Sequence, residues 1–496
     1  MKRMCAGWWA ALVLMLAAPA NTAWAQTLPP TEPIPRIETG MHNAQIWRIG
    51  IDASCRLMVT GSEDKTARLW ALPEQGLGAP KLLGVLRVPI GPGNDGKIYA
   101  VVLSPDGRYA AAGGWNRNAD DWVYIFDAAT GKLIRRLGEL DNNINHLTWS
   151  ADGRYLAATL AGGRGLRVWE TTGWGLVGDD RDYGGKDSYG AAFDATGRLY
   201  TVALDGLLRR YGADFKLEGK SGTLGGKEPF SVAVHPNGDR IAVGFNDSTA
   251  VEVYRAEDVQ RLFAADTVDV ADRVDVANGN LFAVAWSADG ARLYAGGLYQ
   301  DAQGDRLVRI WAQEGRGKGR DVAVARDTIF HLLPCRDKIA VGAADPAFGL
   351  ISLDGEKLVW QEGAIADMRD KRRSNFTVSN DGSQVRFGLG YGDKSPVLFD
   401  LVAGRLTDQP QPAAGLAEPD TTSLNLSDLM NNHMQRRASD DPPLEVKEVK
   451  VYEPAWSFAI APGGDRFVLG TLGSVTVEDE NKMLWTKNGP GMAWGE

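Results

Sequence analysis

Ser104-Pro105-Asp106-Gly107-Arg108-Tyr109 recurs as Ser150-Ala151-Asp152-Gly153-Arg154-Tyr155, Asp194-Ala195-Thr196-Gly197-Arg198-Leu199 and His235-Pro236-Asn237-Gly238-Asp239-Arg240. It returns as Ser287-Ala288-Asp289-Gly290, Ser379-Asn380-Asp381-Gly382 and Ala461-Pro462-Gly463-Gly464, with degenerate copies around Cys55 and Asp337. Successive turns are 41 to 52 residues apart, except for one step of 82. Nine copies at this spacing make a repeat array, built one supersecondary unit at a time.

Each turn follows a short alternating apolar run, such as Tyr99-Ala100-Val101-Val102-Leu103, and precedes another, such as Tyr155-Leu156-Ala157-Ala158. Short runs joined by Pro, Asp, Asn and Gly turns predict antiparallel hairpins. A third run ends in an aromatic with Asp six residues before it: Asp64 with Trp70, Asp120 with Phe126, Asp205 with Tyr211, Asp305 with Trp311 and Asp393 with Phe399. Asp345 holds the same place ahead of Ile351, and a fourth run follows a tight turn, as at Asp127 to Ile134. The period therefore predicts four strands and an all-β fold.

Strand, Asp-Gly turn, strand, Asp turn and a strand ending in Trp together resemble the WD repeat of β-propellers. The first copy matches best: His42, Thr60, Asp64 and Trp70 correspond to the hydrogen-bonded His, Ser/Thr, Asp and Trp of that repeat, a structural set. The resemblance implies about nine four-stranded repeats, arranged as a seven-bladed ring plus a partial second ring or as one large ring. In the seven-bladed arrangement the segment from Ile34 to Thr39 would close the ring as an outer strand. The expected organisation is a signal peptide over 1–25, repeats one to eight over 26–407, a polar insertion or linker over 408–450, and a ninth repeat with the start of another over 451–496. A short helix is expected where Leu426, Leu429, Met430, His433 and Met434 share a face.

A narrower resemblance rests on Arg36-Ile37-Glu38-Thr39-Gly40-Met41-His42, on Gly91-Pro92-Gly93-Asn94-Asp95-Gly96-Lys97-Ile98-Tyr99-Ala100, and on Pro490-Gly491-Met492-Ala493-Trp494-Gly495. These look like exported bacterial proteins that join a WD-repeat region to a caspase-like, metacaspase-type peptidase domain. The resemblance implies a scaffold without the catalytic half.

Lys2 and Arg3 precede an apolar run from Gly7 to Ala18, and Ala23-Trp24-Ala25 precedes Gln26. This pattern reads as a cleaved secretory signal, because the run is short of the roughly 20 residues that span a bilayer. The expected product has no transmembrane segment and is periplasmic or extracellular in a bacterium. Two cysteines, Cys55 and Cys335, would then sit in a disulfide-permissive compartment. Because they lie on turns of repeats far apart in sequence, two free, half-buried thiols are expected.

The chain has 496 residues, 44% apolar and 24% charged, with a net charge of -9. It offers no overall basic field for nucleic acid. Gly91 to Lys97 has phosphate-loop spacing, but Ile98 replaces the hydroxyl residue and a strand rather than a helix follows. His42, His146, His235, His331 and His433 stand singly, without metal-ligand spacing, and Gly-x-Ser-x-Gly is absent. No metal, cofactor or catalytic constellation is expected.

The function expected is therefore non-enzymatic: a protein or peptide partner held on loops around one face of the ring. Trp115, Arg117, Trp122, Tyr183, Tyr299 and Tyr391 are the candidate contacts, because aromatic and Arg side chains dominate interface energetics. A hydrolase or lyase using carboxylates in the central channel is the alternative, and a carboxylate pair at the ring centre is the feature that favours it. Lys371-Arg372-Arg373 is a compact basic patch, read as a solvated turn.

Overall fold

A computed structural model describes residues 40–74, 77–91, 93–115, 121–270 and 279–363, together with strand segments within 377–378, 383–389, 395–400, 405–407, 457–460, 466–470, 474–479 and 482–488. Strands are numbered β1–β36 in chain order, and each consecutive four form one antiparallel sheet. The sheets are β1–β4 (46–86), β5–β8 (98–140), β9–β12 (144–180), β13–β16 (188–222), β17–β20 (229–264), β21–β24 (283–325), β25–β28 (329–361), β29–β32 (377–407) and β33–β36 (457–488). No helix occurs among the described residues. Asp120, Arg117, Tyr391, Asp393, Lys371–Arg373, the 408–450 stretch and residues 1–39 lie outside them.

The first strands of the first seven sheets pack side by side: β1 on β5, β5 on β9, β9 on β13, β13 on β17, β17 on β21, β21 on β25, and β25 back on β1. Seven blades thus close a β-propeller ring, and two further four-stranded sheets follow in sequence. The outer strand of the seventh blade is β28, Lys357–Gln361, from the same stretch of chain as β25–β27. The Ile34–Thr39 segment is therefore not needed to complete that sheet.

The core lies between blades, because each sheet turns alternate residues toward its two neighbours. At the seam between blades seven and one, Met41, Ile46, Ile49, Met58 and Trp70 pack with Cys335, Ala340, Phe348, Leu350 and Val359. Close approach of inner strands explains Gly50, where a Cβ would fall 2.7 Å from the Val102 Cα.

The Ser-x-Asp-Gly turns share one bonding pattern. Ser287 Oγ donates to Asp289 Oδ1, 2.5 Å, and accepts from Arg292 N, while the Ala291 amide donates to the same carboxylate oxygen. The Ser287 hydroxyl, followed by the Ala291 amide, holds the Asp289 carboxyl below its ordinary range. Gly290 has φ 73°, the left-handed region that favours glycine. Cys55 stands at the corresponding place in the first blade with φ 51°, and Arg336 has φ 53° in the seventh. These two turns without glycine flank the ring seam.

There the expectation of free thiols is corrected. Cys55 and Cys335 form a disulfide across 280 residues, with Cα atoms 5.7 Å apart. Distance along the chain misleads because ring closure makes the first and seventh blades neighbours. A parallel bridge between Gly78 and Val359, with Gly78 N donating to Leu358 O at 3.2 Å, joins the same two blades near the outer edge.

Candidate functional site at the channel mouth

In the first blade His42 Nδ1 lies 2.8 Å from Asp64 Oδ2 and Nε2 lies 2.7 Å from Thr60 Oγ1, while Trp70 Nε1 donates to Thr60 Oγ1 at 3.0 Å. Asp64 also accepts from Thr66 N and Oγ1. A proton on Nδ1 satisfies the carboxylate and leaves Nε2 to accept from Thr60, whose oxygen then accepts the Trp70 proton. Burial alone would raise the Asp64 carboxyl, but the His42 ring, with Thr66, holds it below its ordinary range. All four side chains are buried.

Other blades solve the same position differently. In the fourth, Tyr183 takes the role of His42: its hydroxyl lies 2.8 Å from Thr201 Oγ1 and 2.9 Å from Tyr211 OH. Arg209 covers the Tyr183 ring at 4.0 Å and pairs with Asp205. In the seventh, neither a His nor a Thr side chain bonds Asp345; its Oδ2 accepts from Arg326 N at 2.8 Å and its Oδ1 is buried without a partner. Burial lifts the Asp345 carboxyl to about 6. In the sixth, Asp305 N donates to Asp301 Oδ1 at 3.0 Å, inside a longer loop.

The candidate contact residues do not converge. Tyr183, a candidate contact, is fully buried and offers no surface to a partner. Tyr299 is committed to Asp321 through its hydroxyl, 2.8 Å. Trp115 and Trp122 are half-buried in the second blade, Trp122 beneath the Arg136 guanidinium at 5.0 Å. In the glycine-rich stretch, Lys97 Nζ pairs with Glu63 at 2.7 Å, and β5 starts at Ile98.

What the ring brings together is a set that sequence reading passed over. The second residues of the inner strands β1, β5, β9, β13, β17 and β25, and the residue just before β21, are Trp47, Tyr99, Asn145, Tyr189, Phe230, Phe330 and Phe282. Six are aromatic, and their rings touch in an unbroken arc. Tyr99 meets Trp47 edge-on at 5.5 Å, Trp47 stacks on Phe330 at 4.3 Å, and Phe330 lies 5.9 Å from Phe282. Phe282 then lies 5.0 Å from Phe230, which stacks on Tyr189 at 4.7 Å.

This collar sits at the end of the channel that carries the β2–β3 turn, since Trp47 Nε1 donates to Glu63 Oε1 at 2.8 Å. Trp47, Tyr99, Tyr189 and Phe330 are partly exposed, whereas Phe230 and Phe282 are buried. Tyr189 OH donates to Asp187 at 3.1 Å. Burial, then Asp187, push the Tyr189 hydroxyl up, and burial, then Glu63, do so for Tyr99, so both remain protonated donors. A signal was present: Trp47, Tyr99, Asn145, Tyr189, Phe230 and Phe282 each stand eight residues before the turn position.

One step further along the inner strands, polar side chains latch neighbouring blades. His146 Nδ1 accepts from Ala191 N at 3.2 Å, Ser231 Oγ accepts from Val284 N at 3.1 Å, and His331 Nδ1 lies 3.2 Å from Ile49 N and 3.0 Å from Ile49 O. Arg48, at the same step, instead crosses the channel: Nη1 donates to Phe330 O at 2.9 Å and Nη2 to Tyr189 O at 2.8 Å. The carboxylate pair that the enzyme alternative calls for is not what these two layers hold; they present aromatics, imidazoles and a guanidinium. No cluster of metal-ligating side chains occurs among the described residues, and no helix there is long and apolar enough to cross a membrane.

The model of the WD domain, G-beta repeat, matches residues 36–71, 83–127 and 131–170, which take in β1 to β11 of the first three blades. Over 160 residues the chain is 27% identical to telomerase protein component 1 of Rattus norvegicus, a match covering 32% of this chain and 6% of that protein. The chain thus spans only a small part of that relative's length. The matched repeats and the ring geometry agree: this chain carries WD40 repeats where the model matches, and they belong to a seven-bladed β-propeller ring.

Proposed function

We propose that the ring is a non-enzymatic interaction scaffold that works in an extracytoplasmic, oxidising compartment and takes segments of partner proteins at the collar around its channel mouth. The observation that carries the reading is the collar itself. Six blades place an aromatic at one ring position, and four of those side chains remain partly exposed while neighbouring rings hold them. Pre-organised aromatics lose little side-chain entropy on binding and supply much of an interface's energy. The Cys55–Cys335 disulfide supports the compartment, because such bonds persist where thiols are not kept reduced. The stretches at 36–42, 91–100 and 490–495 support the narrower reading that the scaffold is the recognition part of a caspase-like protein.

The interaction reading is tested by selecting peptides from a displayed library on the intact protein. Their binding is then measured to Tyr99→Arg, at the mouth, and to Leu262→Arg, on an exposed outer strand. Loss of roughly tenfold or more in affinity with Tyr99→Arg alone is expected. Binding that ignores Tyr99→Arg and follows Leu262→Arg would move the site to the rim. The compartment is tested by cell fractionation with thiol alkylation of the full chain: an alkylation-resistant protein outside the cytoplasm is expected, and a cytoplasmic, fully alkylated one overturns it.

A further inference from the structure

Beneath the collar, Arg48 is buried to 1% exposure. Two of its five N–H groups are bonded, each to a backbone carbonyl, and Nε has no partner although it is buried. Among the described residues no carboxylate lies within ion-pair distance of Arg48; the guanidinium carbon lies 5.2 Å from the centre of the Phe230 ring. Carbonyl dipoles and a ring face solvate a guanidinium only in part, and a buried charge without a counter-charge is costly.

The side chains around this cation add hydrogen-bond donors. Ala191 N donates to His146 Nδ1, which leaves the ring proton of the neutral imidazole on Nε2. His331 stands edge-to-face with His146, ring centres 5.6 Å apart, and is tied through Nδ1 to the Ile49 backbone. Burial, and then the Arg48 charge, push both imidazoles well below their ordinary values, so they stay neutral and the guanidinium close to them is the cation of this layer. Three blades, the first, third and seventh, thus deliver one buried cation and an imidazole N–H donor to the waist of the channel.

We propose that the waist of the channel binds one small monovalent anion, of halide or formate size, on the free N–H edge of Arg48 beside the His146 imidazole. The chemistry is shared by an inorganic halide and by a carboxylate group. A bound anion neutralises the buried charge and, by favouring the folded ring, raises its stability in a saturable way.

The test uses the full chain at constant ionic strength, with sodium gluconate, whose anion is far larger than a halide or formate, replaced stepwise by sodium bromide or sodium formate. Thermal unfolding and the ¹⁵N imidazole signals of His146 and His331 are followed together. Expected are a saturable rise in Tm and a saturable His146 shift with bromide or formate, and an affinity roughly tenfold or more weaker in Arg48→Met. Response to both anions marks a general monovalent site, and response to formate alone a carboxylate site. Equal behaviour in all three salts, or an Arg48→Met protein that responds like the parent, overturns the proposal. Should Arg48→Met fail to fold, crystals of the unaltered protein soaked in bromide decide it: an anomalous peak within hydrogen-bond reach of Arg48 supports the site, and its absence at saturating bromide sinks it.

Discussion

Cys55 and Cys335 are bonded across the one seam where the ring meets itself, on the two inner turns that have dispensed with glycine. Holding a non-glycine residue at positive φ costs of order 1 kcal/mol. A cross-link that closes a loop of 280 residues offsets this several times over. Cys335→Ser is expected to lower stability by about 2–5 kcal/mol. Chemical denaturation with and without reductant checks it: reductant should destabilise the parent and leave Cys335→Ser unaffected. Amide exchange in the variant should rise first in β1 and β25.

Thr60 is the hub of the first blade's set, accepting from Trp70 and facing His42. Thr60→Val is expected to cost about 1–3 kcal/mol, because His42 Nε2 and Trp70 Nε1 both lose their partner in a buried site. Thr201→Val in the fourth blade should cost less, since Tyr183 keeps Tyr211. Urea midpoints of the two variants, compared at equal slope, test the order; reversed costs would refute this account of the Tyr183 substitution.

Asp64 and Asp345 occupy equivalent turns yet shift in opposite directions, one held down by its imidazole and the other lifted to about 6 by burial. A folded-state value above the unfolded one means that stability declines as pH rises between about 4 and 6, and stays lower above that. Asp345→Asn keeps an oxygen for the Arg326 amide and removes the charge. It should gain up to about 3 kcal/mol at neutral pH and little near pH 4. Denaturation of parent and variant over this range reads the difference directly.

His146 and His331 act with the opposite sign. Their depressed folded values mean that the unfolded chain takes up protons first, so their contribution is complete above about pH 6.5 and lost as the pH falls below it. His146→Gln, which can still accept from Ala191, should flatten part of this acid loss. A variant whose stability falls with acid as steeply as the parent's would contradict it.

The sheets were legible because each is local. Ser-x-Asp-Gly needs one hydroxyl, one carboxylate and one left-handed glycine within four residues, so the turn announces the hairpin wherever it occurs. Closure was not, because it depends on contacts between residues such as Ile49 and His331, 282 apart, that no local pattern encodes. The collar was hidden for a different reason. An aromatic on an inner strand has the same alternation whether it packs between blades, as Trp149 does, or faces the channel, as Trp47 does. Tyr183 misled for the converse reason: a tyrosine in a polar loop suggests exposure, whereas here its hydroxyl substitutes for an imidazole.

Every blade of the ring, including the last, draws its four strands from one continuous stretch, so no sheet depends on pairing the two ends of the ring. The seams are then topologically interchangeable. A circular permutant that linked the end of β28 to the start of β1 and began at β13 would keep all seven sheets whole. In it Cys55 and Cys335 would lie far closer along the chain, their bond would close a much shorter loop, and its entropic contribution would shrink accordingly. The newly opened junction between the third and fourth blades would inherit the need for a clasp.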